Sequence, residues 1–150
     1  IFNAKRLKTK VVEYLETKGV EQKNAVPEEV IVAIKKGDIK TLNRRITKSS
    51  LNDCFYMEEE SGNYLVHSIT YQSLPALQFF VEKGVDIESV CENKTPLMYA
   101  IKYGRLEMVK YLVEKGADIK ASNHGKTPLY YAKVYEHPEI EEYLIGKNAN

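Results

Sequence analysis

The chain has 150 residues, room for one ordinary core or about four short repeated units. Its 22 basic and 21 acidic side chains leave a net charge of +1, so no global field draws it to nucleic acid or an anionic membrane. A hydrophobic fraction of 43% excludes wholesale disorder, and no apolar run approaches the roughly 18–20 residues of a membrane span. No secretory leader pattern opens the chain, but it begins at Ile1 rather than Met, so it reads as a trimmed or processed product and a leader stays open. The two cysteines, Cys54 and Cys91, have no CxxC spacing and read as free thiols in a reducing compartment.

In chain order, residues 11–20 carry one helical stretch with no partner helix before it. Residues 1–26 read as an N-terminal capping helix, with a truncated extra unit as the alternative. Residues 27–38 read as a helix, and Ile39, Leu42 and Ile46 give the stripe of a second one. Arg44 and Arg45 fall where that second helix should be apolar. The connection 49–61 is long and holds Glu58, Glu59 and Glu60, which read as a solvated loop. In residues 62–92, Asn63 is an N-cap, and Leu77, Phe80, Val81 and Gly84 carry the second helix and its end. Gln72 stands where a helix-ending glycine belongs.

Residues 93–124 are the clearest unit. Thr95 caps a helix with Pro96 at its first position, and Leu97, Ala100 and Ile101 share one face. Gly104 ends it. Leu106, Val109, Leu112 and Val113 stripe the next helix, which Gly116 ends. Residues 125–150 repeat the pattern, with Thr127-Pro128-Leu129 standing 32 residues after Thr95-Pro96-Leu97. Gly116-Ala117-Asp118-Ile119 likewise stands 32 residues after Gly84-Val85-Asp86-Ile87. A fixed period of this length marks stacked units, none of which buries its apolar face alone. Glu141 takes the place of Val109, and a carboxylate is costly to bury between units, so the last unit is expected to be a C-terminal cap.

The run Asn93-Lys94-Thr95-Pro96-Leu97-Met98-Tyr99-Ala100, with Gly104 and Val109 through Asp118 behind it, closely resembles the ankyrin repeat. Met98 departs from the His usual there. The resemblance implies an all-α solenoid of about four helix-turn-helix units with short β-turn fingers, here 27–61, 62–92, 93–124 and the capping 125–150. It further implies a single domain over 1–150 that works by presenting a surface.

No catalytic constellation is found. His67, His124 and His137 each read as structural, no Cys/His spacing suits zinc, and no phosphate-binding glycine loop is present, so no enzyme activity, cofactor or metal is expected. The 11 tyrosines say more. Tyr111 and Tyr143 share a second-helix position and read as packing, while Tyr99 and Tyr131 read as semi-buried. Tyr71, Tyr103 and Tyr135 share one position near the end of the first helix, on the face that lines the concave groove in ankyrin proteins. Lys102 and Lys133 neighbour them, and Lys94, His124 and Lys126 lie on the finger side.

These eight residues make a basic, tyrosine-lined partner site. The function expected is a non-catalytic protein-interaction module whose partner carries an acidic patch. The alternatives are an inhibitor or immunity protein, a secreted effector, or the targeting domain of a larger enzyme. Nucleic-acid binding is disfavoured by scarce arginine and near-zero net charge. A cytoplasmic monomer is expected, with a secreted or periplasmic chain as the other reading.

Overall fold

The computed structural model describes residues 26–57 and 60–147; the helix expected near the N-terminus lies outside the described residues, as do Glu58 and Glu59. Helices come in pairs: α1 (Glu28–Lys36) with α2 (Ile39–Arg45), α3 (Tyr64–Thr70) with α4 (Leu74–Glu82), α5 (Pro96–Lys102) with α6 (Leu106–Glu114), and α7 (Pro128–Val134) with α8 (Pro138–Gly146). The first helices α1, α3, α5 and α7 form one row, each packing on the next, while α2 packs on α4 and α6 on α8.

Local chemistry starts the first helices. Asn63 Oδ1 accepts from the backbone N–H groups of Leu65 and Val66 at 3.0 and 3.1 Å, and Thr127 Oγ1 accepts from Tyr130 N–H at 3.1 Å. The turn inside each pair is the same four times. Gly37, Gln72, Gly104 and Glu136 take φ of 64, 55, 67 and 56°, all left-handed. At Gly104 the N–H donates to Ile101 O at 3.0 Å and the next N–H, of Arg105, to Ala100 O at 2.9 Å. This two-bond helix stop recurs at the other three turns. Gln72 and Glu136 therefore hold a glycine's geometry with a side chain attached. At Gly104 itself a Cβ would come within 2.7 Å of His137 Cε1.

The core runs unbroken through the pairs, from Ile34 and Leu42 through Leu65, Ile69, Phe80, Leu97, Ile101 and Leu112 to Ile140 and Leu144. Tyr64 stacks on Phe80 with centroids 4.7 Å apart. The stripe expected in α2 is only partly realised: Leu42 is fully buried, but Ile39 is 37% exposed and Ile46 lies beyond the helix end. Arg44 and Arg45 stay outside the core, with guanidiniums 2.7 and 2.5 Å from Glu29 of α1.

The long first connection is a hairpin, β1 (Phe55–Met57) antiparallel to β2 (Glu60–Gly62), with Phe55 opposite Gly62. The next two fingers are tight turns closed by the pairs Cys91–Lys94 and Asn123–Lys126. Their central residues, Glu92 and Asn93, then His124 and Gly125, all have positive φ, the mark of a type I′ turn.

Behind the second helices runs a chain of side-chain-to-backbone bonds. Asn52 Oδ1 accepts from Asp86 N–H at 2.8 Å, and Glu88 Oε1 accepts from Asp118 N–H at 2.7 Å. Asp86 and Asp118, the matched acids of the 32-residue repeat, each accept from the N–H two residues on, at 2.9 and 2.8 Å.

Two expectations are corrected. Cys54 and Cys91 are not free thiols but a disulfide, with Cα atoms 6.2 Å apart. Their separation of 37 positions gave no local sign of it; the extended hairpin lays Cys54 beside the second finger. Tyr99 and Tyr131 are not semi-buried but 0% and 6% exposed. Tyr99 reaches across the fingers, its hydroxyl donating to Cys91 O at 3.0 Å and Ser61 O at 3.3 Å.

Candidate functional site

Tyr71, Tyr103 and Tyr135 directly follow α3, α5 and α7 and take nearly one conformation, with φ from −83 to −90° and ψ from 3 to 7°. Each N–H closes its helix by donating four residues back, to the carbonyls of His67, Tyr99 and Tyr131 at 2.9–3.0 Å. The shared backbone places the three residues at one register position, and Tyr71 and Tyr103 pack partly against the core. Tyr71 and Tyr103 are half-buried and Tyr135 is 38% exposed.

The structure gathers part of the expected set around Tyr99. Lys102 Nζ lies 5.1 Å from the Tyr103 ring centre and 5.9 Å from that of Tyr99. Lys94, arriving from the finger, lies 5.6 Å from the Tyr99 ring centre. Both are within cation–π range. Farther along the row, Tyr135 stacks on Tyr131 with centroids 6.1 Å apart. Burial, with Tyr135 and Tyr130 adding to it, pushes the Tyr131 hydroxyl pKa up against a smaller opposing pull from Lys102.

The other expected residues are not gathered. Lys133 is exposed, with no ring contact or ion pair among the described residues. His124 and Lys126 are exposed on the third finger, where the Lys126 backbone pairs with Asn123. The remaining histidines are framework. His67 Nε2 lies 3.1 Å from Phe55 O, pinning the hairpin base, and His137 Nε2 lies 3.2 Å from Lys102 O. Among the described residues no three His, Cys, Asp or Glu side chains converge as a metal site.

Three residues near these tyrosines escape the sequence reading. Lys35 Nζ lies 4.5 Å from the Tyr71 ring centre. Its signal is register: Lys35 precedes Gly37 by two residues as Lys102 precedes Gly104. Tyr130 and Val134 are 41% and 54% exposed on α7, and Tyr130 meets Tyr131 edge-on at 5.5 Å. Val134 stands at the position of Lys102, which turns the last unit's share of the face apolar.

A lysine over a tyrosine is not by itself distinctive here. Lys115 covers Tyr111 and Lys147 covers Tyr143 on the second helices, at 5.6 and 5.7 Å. What sets the Tyr99 cluster apart is convergence, since a finger lysine and a helix lysine meet on one buried ring.

Paired helices, a repeated left-handed turn and projecting two-residue fingers define a stacked helix-pair protein. A family model described as Ankyrin repeats (3 copies) matches residues 30–123 and again 65–150, and the chain belongs to the ankyrin-repeat family. Modules of this family are generally protein–protein interaction domains and typically non-catalytic. A search of curated proteins gives no match.

Proposed function

We propose that this chain is a non-catalytic module that binds a protein partner along the face formed by the first-helix ends and the fingers. Lys35, Tyr71, Lys94, Lys102, Tyr103 and Tyr135 form its centre, and His124, Lys126 and Lys133 form its rim. The observation that carries the reading is the convergence of Lys94 and Lys102 on Tyr99, beside the half-buried Tyr103. Tyrosine supplies contact area with a polar tip, and lysines set the sign of the charge that docks well. The partner surface is therefore acidic.

Tyr130 and Val134 add an apolar end to the face, so the partner segment is acidic opposite the second and third units and apolar opposite the last. Monomeric action suits this reading. The Cys54–Cys91 disulfide favours an oxidising compartment over the cytoplasm.

The test compares capture by the wild-type chain with capture by a Tyr103→Ala, Lys102→Glu variant. The bound protein is then titrated against both at two salt concentrations. Affinity should fall at least about tenfold in the variant, and its salt dependence should flatten. A partner that binds both forms equally removes this face from the assignment. Retention of single-stranded DNA or RNA at low salt by wild type but not the variant would favour a nucleic-acid reading instead.

A further inference from the structure

Cys54 and Cys91 place a covalent staple between the first two fingers, outside the helical stack. The two half-cystines sit in unlike surroundings. Cys54 is exposed in the loop just before β1. Cys91 is 3% exposed, its backbone paired in both directions with Lys94 and its carbonyl covered by the Tyr99 hydroxyl. We propose that this disulfide is a thiol-exchange latch, with Cys54 the sulfur that an outside thiol attacks and hence a site of S-thiolation by a small thiol of the glutathione class.

Exchange begins when a thiolate attacks one sulfur of the disulfide, and access decides which one. An incoming thiolate R–S⁻ meets the Cys54 side. A bond forms between R–S and Cys54 Sγ, the Cys54–Cys91 bond breaks, and Cys91 leaves as a thiolate that takes a proton from solvent. A second R–SH, as thiolate, attacks the sulfur of the R group in the mixed disulfide. It releases Cys54 as a thiolate, which is then protonated, and R–S–S–R departs. Two electrons pass from the small thiol to the protein and two protein thiols result.

Opening the latch frees a defined segment. The hairpin base stays held by Phe55, which is buried against Tyr64 at 5.0 Å, and by the His67 contact to the Phe55 carbonyl. The loop just before it keeps the buried Leu51 and the exposed Asn52–Asp86 hydrogen bond. The helical pairs lose no contact of their own, because no helix residue is a partner in the cross-link. This inference stands apart from the partner-binding face and does not depend on it.

The test uses the wild-type chain, purified without reductant in air-equilibrated buffer. Its intact mass should show no free thiols. Reduced glutathione is then added, the reaction is quenched with acid, and the adduct is mapped. Glutathione should sit on the Cys54 peptide at least about tenfold more than on the Cys91 peptide. In parallel, Cys91→Ser should react with a coloured disulfide reagent at least about tenfold faster than Cys54→Ser. Hydrogen exchange after full reduction should quicken more between residues 51 and 55 than the common rise that lower global stability brings to α3 to α8. Two free thiols in the untreated protein, adducts shared equally between the cysteines, or exchange at residues 51–55 that rises no more than in the helices would each overturn the proposal.

Discussion

Gln72 and Glu136 occupy turns whose backbone asks for glycine, and replacing them tests that reading quantitatively. An L-residue in the left-handed region is disfavoured by about 1–2 kcal/mol. Glycine relieves that strain but adds about 0.5–1 kcal/mol of unfolded-chain entropy. The Gln72 side chain is exposed and makes no hydrogen bond among the described residues, so no other contact there is lost in Gln72→Gly. The net expectation is a gain of about 0.5–1 kcal/mol, or about 2–3 °C in Tm for a chain of this size. Glu136 differs in one respect. It lies two residues before α8, where a carboxylate favours the positive helix end by about 0.3–1 kcal/mol, so Glu136→Gly should gain less or nothing. Gln72→Ala keeps the Cβ and should gain nothing. The converse change, Gly104→Ala, meets both the φ of 67° and the His137 ring, and it should cost about 2 kcal/mol as the His137–Lys102 bond is pushed aside. Urea unfolding at neutral pH, with m compared across the set, measures all four. A Gln72→Ala as stabilising as Gln72→Gly would refute the strain account, because the gain would then come from deleting the glutamine side chain.

Other expectations are independent of these turns. The disulfide spans 37 residues, which in the chain-entropy picture is worth about 4 kcal/mol, so full reduction should lower Tm on the order of 10 °C; a shift under about 2 °C in a calorimetric scan would argue against that value. Asn63→Ala uncaps α3 and removes a part-buried hydrogen bond to Ser89, and should cost about 1–2 kcal/mol in urea titration. The buried Tyr111 hydroxyl finds no hydrogen-bond partner among the described residues, so Tyr111→Phe should be neutral or stabilise by up to about 1 kcal/mol at pH 7. Burial, with Glu82 adding to it, raises the Tyr111 pKa above its ordinary 10.0. Because the fold favours the protonated form, this contribution is intact below pH 10 and is lost as pH rises through the folded pKa. Tyr111→Phe should therefore flatten the alkaline limb of Tm against pH, and an unchanged limb would count against this assignment.

Much of the fold is legible because its determinants are local. Thr127 and Asn63 cap helices by bonds two or three residues long, and the turn at Gly104 stops one by bonds that span three and five residues. The common backbone conformation of Tyr71, Tyr103 and Tyr135 follows from the same local stop. What escaped depends on contacts between units. Tyr99 lies at a position that looks like a helix flank, but its hydroxyl bridges two fingers, and that bridge sets its burial. The Cys54–Cys91 pair depends on how far the first hairpin extends, which 32-residue register does not encode. Lys35 was within reach of register alone; the divergence of α2, with its charged Arg44 and Arg45, obscured the alignment of that unit.

The bonds from Asn52 to Asp86 and from Glu88 to Asp118 bear on how such a chain can change over generations. Each turn is completed by a side chain belonging to the unit before it, so a unit is not self-contained on this side. Deleting the second unit whole would bring Asn52 up to Asp118, and the spacing of the donor turn would decide whether the N–H is still met. A transplanted unit must bring a suitable acceptor for its follower as well as a turn that fits its predecessor. Helix faces can drift one residue at a time, whereas these turns are constrained in pairs, so the array is less modular than its period implies.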